Sequence, residues 1–413
     1  MTDAAVPTGP SGPVTRSGVA RVGMATAVTA VCGYAVLYLA ARDLDPAGFS
    51  VFAVFWGAFG LVTGAANGLL QESTREIRLA SRQAPGGAVT RPMRLAAVVG
   101  LVSAAAVVAT ALLWSSHVFV QARWLSVLLL AAGLAGFCLH ATLLGMLAGA
   151  GHWSQYGALM VTDAVIRVLI AGATVLVGWG LVGFLWATVG GALAWLLLLL
   201  ASPTARLTAT LVAHEDTRGF LRGAAHAVAA AGASAILVMG FPVLLQATGG
   251  DLGATGGVVI LAVTLTRAPL LVPLTAMQGN LIAHFVDQRR HRLRALLAPI
   301  ALVVGVGAVG VALAAVAGPW LLRVGFGPDY IADGALLAWL TAGAVAIAVL
   351  TVTGAATVAA ARHRAYSAGW VGATVAAAAL LATPLDLETR TVVALLCGPV
   401  VGIAVHLAAL AKT

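Results

Sequence analysis

Long uncharged stretches recur from one end of this sequence to the other, and they constrain its fold more than any other feature. The segment from Gly48 to Leu70, for example, contains no charged residue. About 20 residues of helix, rising 1.5 Å each, cover the roughly 30 Å hydrocarbon core of a bilayer. The 413-residue chain is 61% hydrophobic and only 9% charged. These features exclude a soluble domain with a single anchor and predict a polytopic membrane protein.

Twelve apolar stretches predict twelve transmembrane helices in an all-α fold. The first six spans are expected at 19–40, 48–70, 95–114, 125–147, 156–177 and 181–200. The second six are expected at 224–245, 257–279, 295–317, 334–359, 367–383 and 391–410. Residues 1–15 are rich in Pro, Gly, Ser and Thr, and we expect them to form a disordered cytoplasmic tail.

Basic residues gather in alternate loops between these spans. If both termini lie inside, the inner segments carry seventeen Arg and Lys residues and the outer loops carry four. Because short cytoplasmic loops retain basic residues, this bias predicts cytoplasmic N- and C-termini. The preference for Arg over Lys and the abundant Ala, Gly and Val suggest a GC-rich bacterial genome, so the expected location is the bacterial cytoplasmic membrane. The net charge of +9 then reflects topology and anionic lipid headgroups rather than nucleic acid.

Short matches at two nearly equal offsets, 208 and 210 residues, indicate an internal duplication. The matched pairs are Leu44 with Leu252, Gly48 with Gly256, Val51 with Val259, and Tyr156 with Tyr366. They predict a first lobe at 16–201, a cytoplasmic connector at 202–222 and a second lobe at 223–413. Each lobe has an even number of spans, so the two repeats run parallel about an axis along the membrane normal. Paired lobes around a cleft are typical of secondary transporters.

The segment GPWLLRVGFGPDYIADGALLAWL, residues 318–340, resembles the polysaccharide flippases of the multidrug, oligosaccharidyl-lipid and polysaccharide exporter superfamily. Members of that family commonly carry a Leu-Leu-x-x-x-Phe-Gly-x-x-Tyr pattern before their tenth span. The matching residues here are Leu321, Leu322, Phe326, Gly327 and Tyr330. The segment LYLAARDLDPAGFSVFAVFWG, residues 37–57, is similar to the family's first outer loop and second span. Its matching residues are Leu44, Gly48 and Phe52.

This resemblance implies two six-helix, pseudo-symmetric bundles arranged in a V, as in the MATE-like exporters. It also implies a function, which is to move a polyprenyl-pyrophosphate-linked oligosaccharide or polysaccharide precursor from the inner to the outer leaflet by alternating access. Ion gradients or the membrane potential usually drive this movement in the family. The implied partners are the lipid-linked glycan, the membrane lipids and enzymes of polysaccharide assembly, and no cofactor is implied.

Arg267 lies about midway along the predicted eighth span, close to Pro269. A charged side chain at that depth is costly unless it faces a cavity or finds a partner. The planar fork of arginine binds phosphate oxygens at two points and stays charged at any physiological pH. We therefore expect Arg267 either to bind pyrophosphate in the cleft or to pair with backbone carbonyls or a carboxylate of another helix.

Asp163 and Arg167 lie four residues apart in the predicted fifth span, so they share one helix face and can pair. A self-neutralised pair is the least costly way to keep both residues in the membrane. The alternative is that Asp163 exchanges a proton or binds a ligand during transport, tuned by burial beside Arg167.

The stretch QESTREIRLASR, residues 71–82, follows directly after the uncharged second span. On a helix, Arg75, Arg78 and Arg82 fall on one face, and Glu72 and Glu76 form a neighbouring stripe. This arrangement predicts either a pyrophosphate site at the inner mouth of the cleft or a positive-inside anchor for the second span. Arg75 and Glu72 are nearest the membrane and are the candidates for substrate contact, with the glutamates fixing the arginines through i, i+3 contacts. The other nearby arginines are expected to determine topology instead: Arg78, Arg82, Arg91 and Arg94.

Two other classes of function compete with the flippase. A multidrug exporter of the same superfamily would use acidic residues to bind cations, but Asp163 is almost the only mid-span carboxylate. A polytopic glycosyltransferase or polymerase would need a large outer loop with catalytic residues, whereas the outer loops reach only about 10 to 16 residues. We therefore expect no enzyme and no catalytic residues. The three cysteines and nine histidines show no metal-ligand spacing, so no metal site is expected.

Overall fold

The computed structural model describes residues 16–82, 90–288 and 292–411, and within these ranges every regular element is a helix. Eleven helical segments of the described chain are long and apolar enough to cross a membrane. The expected all-α polytopic membrane fold is therefore confirmed. The tail expected at residues 1–15 lies outside the described residues.

Eighteen helices run along the described chain, with one 3-10 turn between α7 and α8. The first half contains α1 (Arg16–Asp43), α2 (Pro46–Ala80), α3 (Pro92–Ala109), α4 (Ala111–Val118), α5 (Arg123–Gly149), α6 (Trp153–Val177), α7 (Gly180–Gly190) and α8 (Ala194–Ala201). The short α9 (Pro203–Ala209) lies in the connector. The second half contains α10 (Thr217–Val238), α11 (Phe241–Gly249), α12 (Gly253–Ala276), α13 (Gln278–Asp287), α14 (Arg292–Ala295), α15 (Leu297–Phe326), α16 (Gly334–Ala359), α17 (His363–Leu381) and α18 (Leu387–Ala411).

Helix α2 carries both the uncharged second span and the charged stretch that follows it. It is 35 residues long, which corresponds to about 52 Å and exceeds the hydrocarbon thickness. Asp45 caps its start by accepting a hydrogen bond from the backbone N of Gly48 at 2.7 Å, and Pro46 occupies the first turn. Because the helix continues to Ala80, Glu72 and Arg75 belong to it and lie near the end opposite Asp45.

Three predicted spans are each built from two helices rather than one. The third span breaks at Thr110, the sixth at the 3-10 turn Gly191–Leu193, and the seventh at Gly240. Pro242 contributes to the last break, because proline has no N–H to donate to the carbonyl of Val238 four residues earlier. Apolar run length alone did not indicate these breaks.

Helix α17 occupies the place of the predicted eleventh span. It is 19 residues long and begins with the polar sequence HRAYS, and it is not among the eleven segments that satisfy both length and apolarity. It packs along α18 and also contacts α10 and α16. Eleven of the twelve predicted spans therefore have a counterpart of the required length and apolarity among the described residues, and α17 takes the place of the remaining one.

The two halves of the chain meet along α2, which packs against α10 and α12. Glycines on α2 allow the close approach to α10. A Cβ on Gly64 would lie 2.7 Å from the Cβ of Ala235, and a Cβ on Gly68 would overlap the backbone of Val228. We call this contact of α2 with α10 and α12 the lobe seam.

Replacing Gly68 with valine is expected to destabilise the lobe seam. The added side chain must push α2 away from α10, and overpacking of this kind typically costs about 1–3 kcal/mol. Gly172→Val in α6 is the matched control, since a Cβ there meets nothing within 4 Å. Thermal melting of the purified protein in detergent should show a lower midpoint for Gly68→Val only. Equal midpoints for the two variants would contradict the described seam.

Candidate functional site

Arg267 lies on α12 and is almost completely buried, with 7% of the residue exposed. Its Nη1 donates to the backbone carbonyl oxygen of Val238 at 3.2 Å, with a longer contact of 3.5 Å to that of Leu237. Its guanidinium carbon lies 4.9 Å from the ring centre of Phe241. The side chain therefore reaches into the break between α10 and α11.

The local chemistry of this break explains why an arginine is tolerated there. Pro242 leaves the Val238 carbonyl without a helical donor, and the end of α10 carries the negative end of its helix dipole. The Nη1 group of Arg267 supplies the missing donor, and the ring of Phe241 offers its negative face to the cation. The expected pairing of Arg267 with backbone carbonyls is thus present.

These contacts use only part of the guanidinium. Nε and Nη2 of Arg267 are buried and make no hydrogen bond with any described residue. Buried N–H groups of a charged side chain are rarely left unpaired, because each costs about 1–3 kcal/mol or more. Nε and Nη2 of Arg267 are therefore buried donors that stay without a partner among the described residues.

Asp163 and Arg167 form the ion pair that their spacing predicts. Nη2 of Arg167 lies 2.9 Å from Oδ1 of Asp163, and Nε lies 3.1 Å from Oδ2. Nη1 of Arg167 donates to the carbonyl of Thr188, just before the 3-10 turn that interrupts the sixth span. The guanidinium also lies over the ring of Phe59 on α2, at 5.2 Å. The pair thus contacts a helix break, as Arg267 does in the second half of the chain.

His140 on α5 is a buried polar residue near this pair that was not predicted from the sequence. It is 3% exposed, its ring stacks on Phe137 at 5.2 Å, and its Nδ1 has no hydrogen-bond partner among the described residues. An ionisable side chain within an apolar span was the available signal, since such residues are uncommon in membranes.

Removing one member of the Asp163–Arg167 pair is expected to cost more stability than removing both. Arg167→Met leaves a buried carboxylate unpaired, a change that typically costs about 3–5 kcal/mol, whereas Asp163→Leu combined with Arg167→Met removes both charges. Thermal melting of the two single variants and the double variant forms a double-mutant cycle. Additive losses across the cycle would contradict a structural pair.

Glu72 and Arg75 lie at the far end of α2 within a cluster of charges. Arg75 donates to both carboxylate oxygens of Glu72, at 2.6 and 3.1 Å, as the i, i+3 spacing predicts. Its Nη2 also lies 2.8 Å from Oε1 of Glu76 and 3.6 Å from Oε1 of Glu215. Glu72 and Glu76 are buried, whereas nearly half of the Arg75 side chain is exposed.

This cluster joins α2 to the connector between the lobes. Oε2 of Glu76 accepts a hydrogen bond from the backbone N of Glu215 at 2.7 Å, and Glu72 packs directly against Gly223 on α10. The connector backbone is also held at Ala213, whose N donates to the carbonyl oxygen of Thr90 at 2.9 Å. Three carboxylates surround one arginine here, so the cluster carries an excess of negative charge.

The predicted site residues do not meet at one point, but each of their clusters contacts α2. The guanidinium of Arg167 lies over the ring of Phe59 on α2. Met239, at the break that Arg267 contacts, packs against Gly57 and Gly60 of α2. Glu72 and Arg75 belong to α2 itself. Movement of α2 relative to α10 and α12 would therefore change the surroundings of all three clusters.

Comparison with known proteins shows relatives over the whole chain. The "Uncharacterized protein Rv3630" of Mycobacterium tuberculosis (strain ATCC 25618 / H37Rv) is 67% identical over 417 residues, covering 100% of this chain and 97% of the relative. The "Uncharacterized protein Rv1510" of the same organism is 64% identical over 413 residues, covering 100% and 96%. No family model matches the chain.

Solved structures with the same fold are transporters. An inward-facing multidrug resistance MATE family transporter of the MOP superfamily superposes with a TM-score of 0.71 and 15% identity, covering 96% of this chain and 99% of the other. An outward-facing MATE transporter of that superfamily gives a TM-score of 0.65 and 17% identity, covering 96% of each chain. These likenesses establish the MATE-like fold of about twelve helices. By its full-length identity, the chain belongs to the family of the mycobacterial proteins Rv3630 and Rv1510.

Proposed function

We propose that this protein is a flippase that moves a polyprenyl-pyrophosphate-linked oligosaccharide or polysaccharide precursor from the inner to the outer leaflet. Its two lobes would open alternately to the two sides of a bacterial cytoplasmic membrane, with both termini in the cytoplasm. The sugar portion crosses between the lobes, while the polyprenyl chain stays in the surrounding lipid. Enzymes of polysaccharide assembly would supply and consume the cargo.

The observation that carries this proposal is the incomplete hydrogen bonding of Arg267. A pyrophosphate is an anion with several oxygens, and it can accept from two N–H groups of one guanidinium at once. Nε and Nη2 of Arg267 are unpaired among the described residues, and the side chain lies beside the lobe seam. Opening of the seam would expose these two groups to a ligand.

Arg75 and Glu72 have a less direct place in the proposal. Arg75 is already paired with Glu72 and Glu76, and the negative surplus of the cluster repels an anion. The geometry therefore favours the alternative in which these residues anchor α2 at its charged end. A contact of Arg75 with pyrophosphate stays a prediction.

Export of cationic drugs is the competing function, because the similar solved structures include multidrug transporters. Binding of a cation would require an accessible carboxylate within a lobe. Both oxygens of Asp163 are occupied by Arg167, which weakens this alternative. A role for Asp163 in ion coupling stays a prediction.

Lipid analysis of cells depleted of this protein tests the proposal. Cells would be complemented with wild type, with Arg267→Gln, or with Arg82→Gln, which changes an exposed arginine. Mass spectrometry would identify the accumulated lipids, and a leaflet-selective label would locate them. We expect a polyprenyl-pyrophosphate glycan to build up on the inner leaflet, with rescue by wild type and Arg82→Gln only. An unchanged lipid pool would overturn the flippase and direct attention to drug efflux.

A further inference from the structure

The Phe-Gly-x-x-Tyr segment between α15 and α16 has no part in the proposed binding of pyrophosphate. Its two aromatic side chains are nevertheless buried or partly buried. Tyr330 is 2% exposed and is among the largest fully buried side chains of the described residues. Phe326 is partly buried, and Leu322 is 4% exposed. These side chains lie at the end of the molecule where α1 ends and α2 begins. We call this end of the molecule the Tyr330 end.

Four aromatic residues at this end connect the two halves of the chain. The ring of Tyr38 on α1 lies 5.6 Å from that of Phe326, and the ring of Phe49 on α2 lies 6.1 Å from that of Tyr330. Phe326 and Tyr330 also contact each other, at 6.1 Å. Edge-to-face pairs at these distances are favourable beyond the burial of their area. We call Tyr38, Phe49, Phe326 and Tyr330 the aromatic latch.

The backbone around the latch fixes its second-half members. Gly327 has φ 124° and ψ 167°, a conformation that glycine alone adopts without strain, and it ends α15. The N of Tyr330 then donates to the carbonyl oxygen of Gly327 at 3.2 Å. Asp333 caps α16 by accepting a hydrogen bond from the N of Leu336 at 2.6 Å. The glycine of the motif thus turns the chain so that Tyr330 points back to α2.

Tyr330 packs through its aromatic ring and makes no use of its polar hydroxyl group. Its hydroxyl makes no hydrogen bond with any described residue. Burial, reinforced by the negative charges of Asp45 and Asp329, raises the pKa of Tyr330 above its usual value, so the ring stays neutral. Only the aromatic ring therefore contributes to holding this end.

The latch adjoins the tightest part of the seam between α2 and α12. Gly257 lies directly against the carbonyl of Pro46, and a Cβ on Gly256 would lie 3.1 Å from Oγ of Ser50. Ser50 is 3% exposed. Separation of α2 from α12 at this end would pull Phe49 away from Tyr330, because Phe49 is the neighbour of Ser50 on α2.

We propose that the aromatic latch is the gate that holds the two lobes closed at the Tyr330 end, and that the Phe-Gly-x-x-Tyr motif exists to place Phe326 and Tyr330 against α1 and α2. The gate must separate for a substrate to pass at this end. In the predicted orientation this is the outer side. The gate is independent of the cargo, so its test needs no substrate.

A cysteine reporter beneath the latch tests the proposal in full-length protein. Ser50→Cys is nearly isosteric and would be introduced after replacing Cys32, Cys138 and Cys397 with alanine. The reporter is treated with a water-soluble methanethiosulfonate reagent on purified protein in lipid nanodiscs. The labelling rate is measured in this parent and in Tyr330→Phe, Tyr330→Ala and Phe326→Ala variants.

Phe220→Ala is the matched control, since it truncates an equally buried aromatic ring at the opposite end of the seam. Phe220 is 1% exposed and packs in a cluster with Ala66 and Leu69 of α2. Size-exclusion profile and helical circular dichroism report folding for every variant. If either Tyr330→Ala or Phe326→Ala fails these folding checks, the test relies on the other of these two variants.

The expected result is that Tyr330→Ala and Phe326→Ala label about tenfold faster than the parent, because losing the latch shifts the closed population. Tyr330→Phe should label at the parental rate, since the hydroxyl has no partner. Phe220→Ala should not accelerate labelling. Parental rates in folded alanine variants would overturn the proposal, and so would equal acceleration by Phe220→Ala, which would indicate general loosening of the seam.

Discussion

Replacing Arg267 with glutamine is expected to reduce substrate translocation by about 100-fold or more while leaving the fold at least as stable as wild type. Glutamine carries an N–H donor but no charge, so the change removes a buried cation with two unpaired N–H groups. An uncharged side chain costs less free energy to bury than a charged one, so the variant is expected to be no less stable than wild type. Loss of function without loss of stability is typical of a residue kept for binding.

Two measurements on the same variant, one on purified protein and one in cells, separate the effect on stability from the effect on transport. Thermal melting of Arg267→Gln should match or exceed wild type, and its rescue of precursor accumulation in depleted cells should fail. Arg267→Lys keeps the charge but loses the planar fork, so partial rescue is expected. A glutamine variant that melts well below wild type would instead show that Arg267 is needed mainly to stabilise the α10–α11 break.

Replacing Glu76 with alanine is expected to give the largest loss of stability among changes at the charged end of α2. The fully buried carboxylate accepts from the backbone N of Glu215 and neutralises Arg75. Its loss leaves a connector N–H unpaired and removes one partner of Arg75, at an expected cost of about 2–4 kcal/mol. The thermal midpoint should fall, and protease cleavage of the connector should become faster.

Glu76→Gln provides the matched control for this prediction. Its amide oxygen can still accept from Glu215, so most of the stability should be retained, and only the ion pair with Arg75 is weakened. Equal losses for alanine and glutamine would show that charge, rather than the connector hydrogen bond, matters most. Unchanged melting of Glu76→Ala would contradict the described link between α2 and the connector.

The positions of the spans could be predicted because apolar length and helix capping are local properties. The predicted tenth span, 334–359, coincides with α16, whose start is fixed by the Asp333 cap. The broken helices were missed because Pro242 and Gly191 lie within runs that remain apolar throughout. A break inside the membrane depends on partners such as Arg267 and Arg167, which reach it from other helices.

In the candidate sites too, some contacts could be predicted from the sequence and others could not. Contacts within one helix, Glu72 with Arg75 and Asp163 with Arg167, follow from their spacing. Contacts between distant segments do not follow from spacing, because periodicity does not determine which helices face each other. The bond from Glu215 to Glu76 spans 139 residues, and Arg267 reaches Val238 across 29 residues. Only the packed structure brings these groups together.

Translocation by purified protein in liposomes tests the central claim most directly. A fluorescent polyprenyl-pyrophosphate glycan would be placed in both leaflets, and a membrane-impermeant quencher would report how fast the protected molecules reach the outside. We predict rapid equilibration with wild type and with Arg82→Gln, and rates of empty liposomes with Arg267→Gln. Equal rates for wild type, Arg267→Gln and empty liposomes, with all proteins folded, would contradict the proposal that this protein is a flippase.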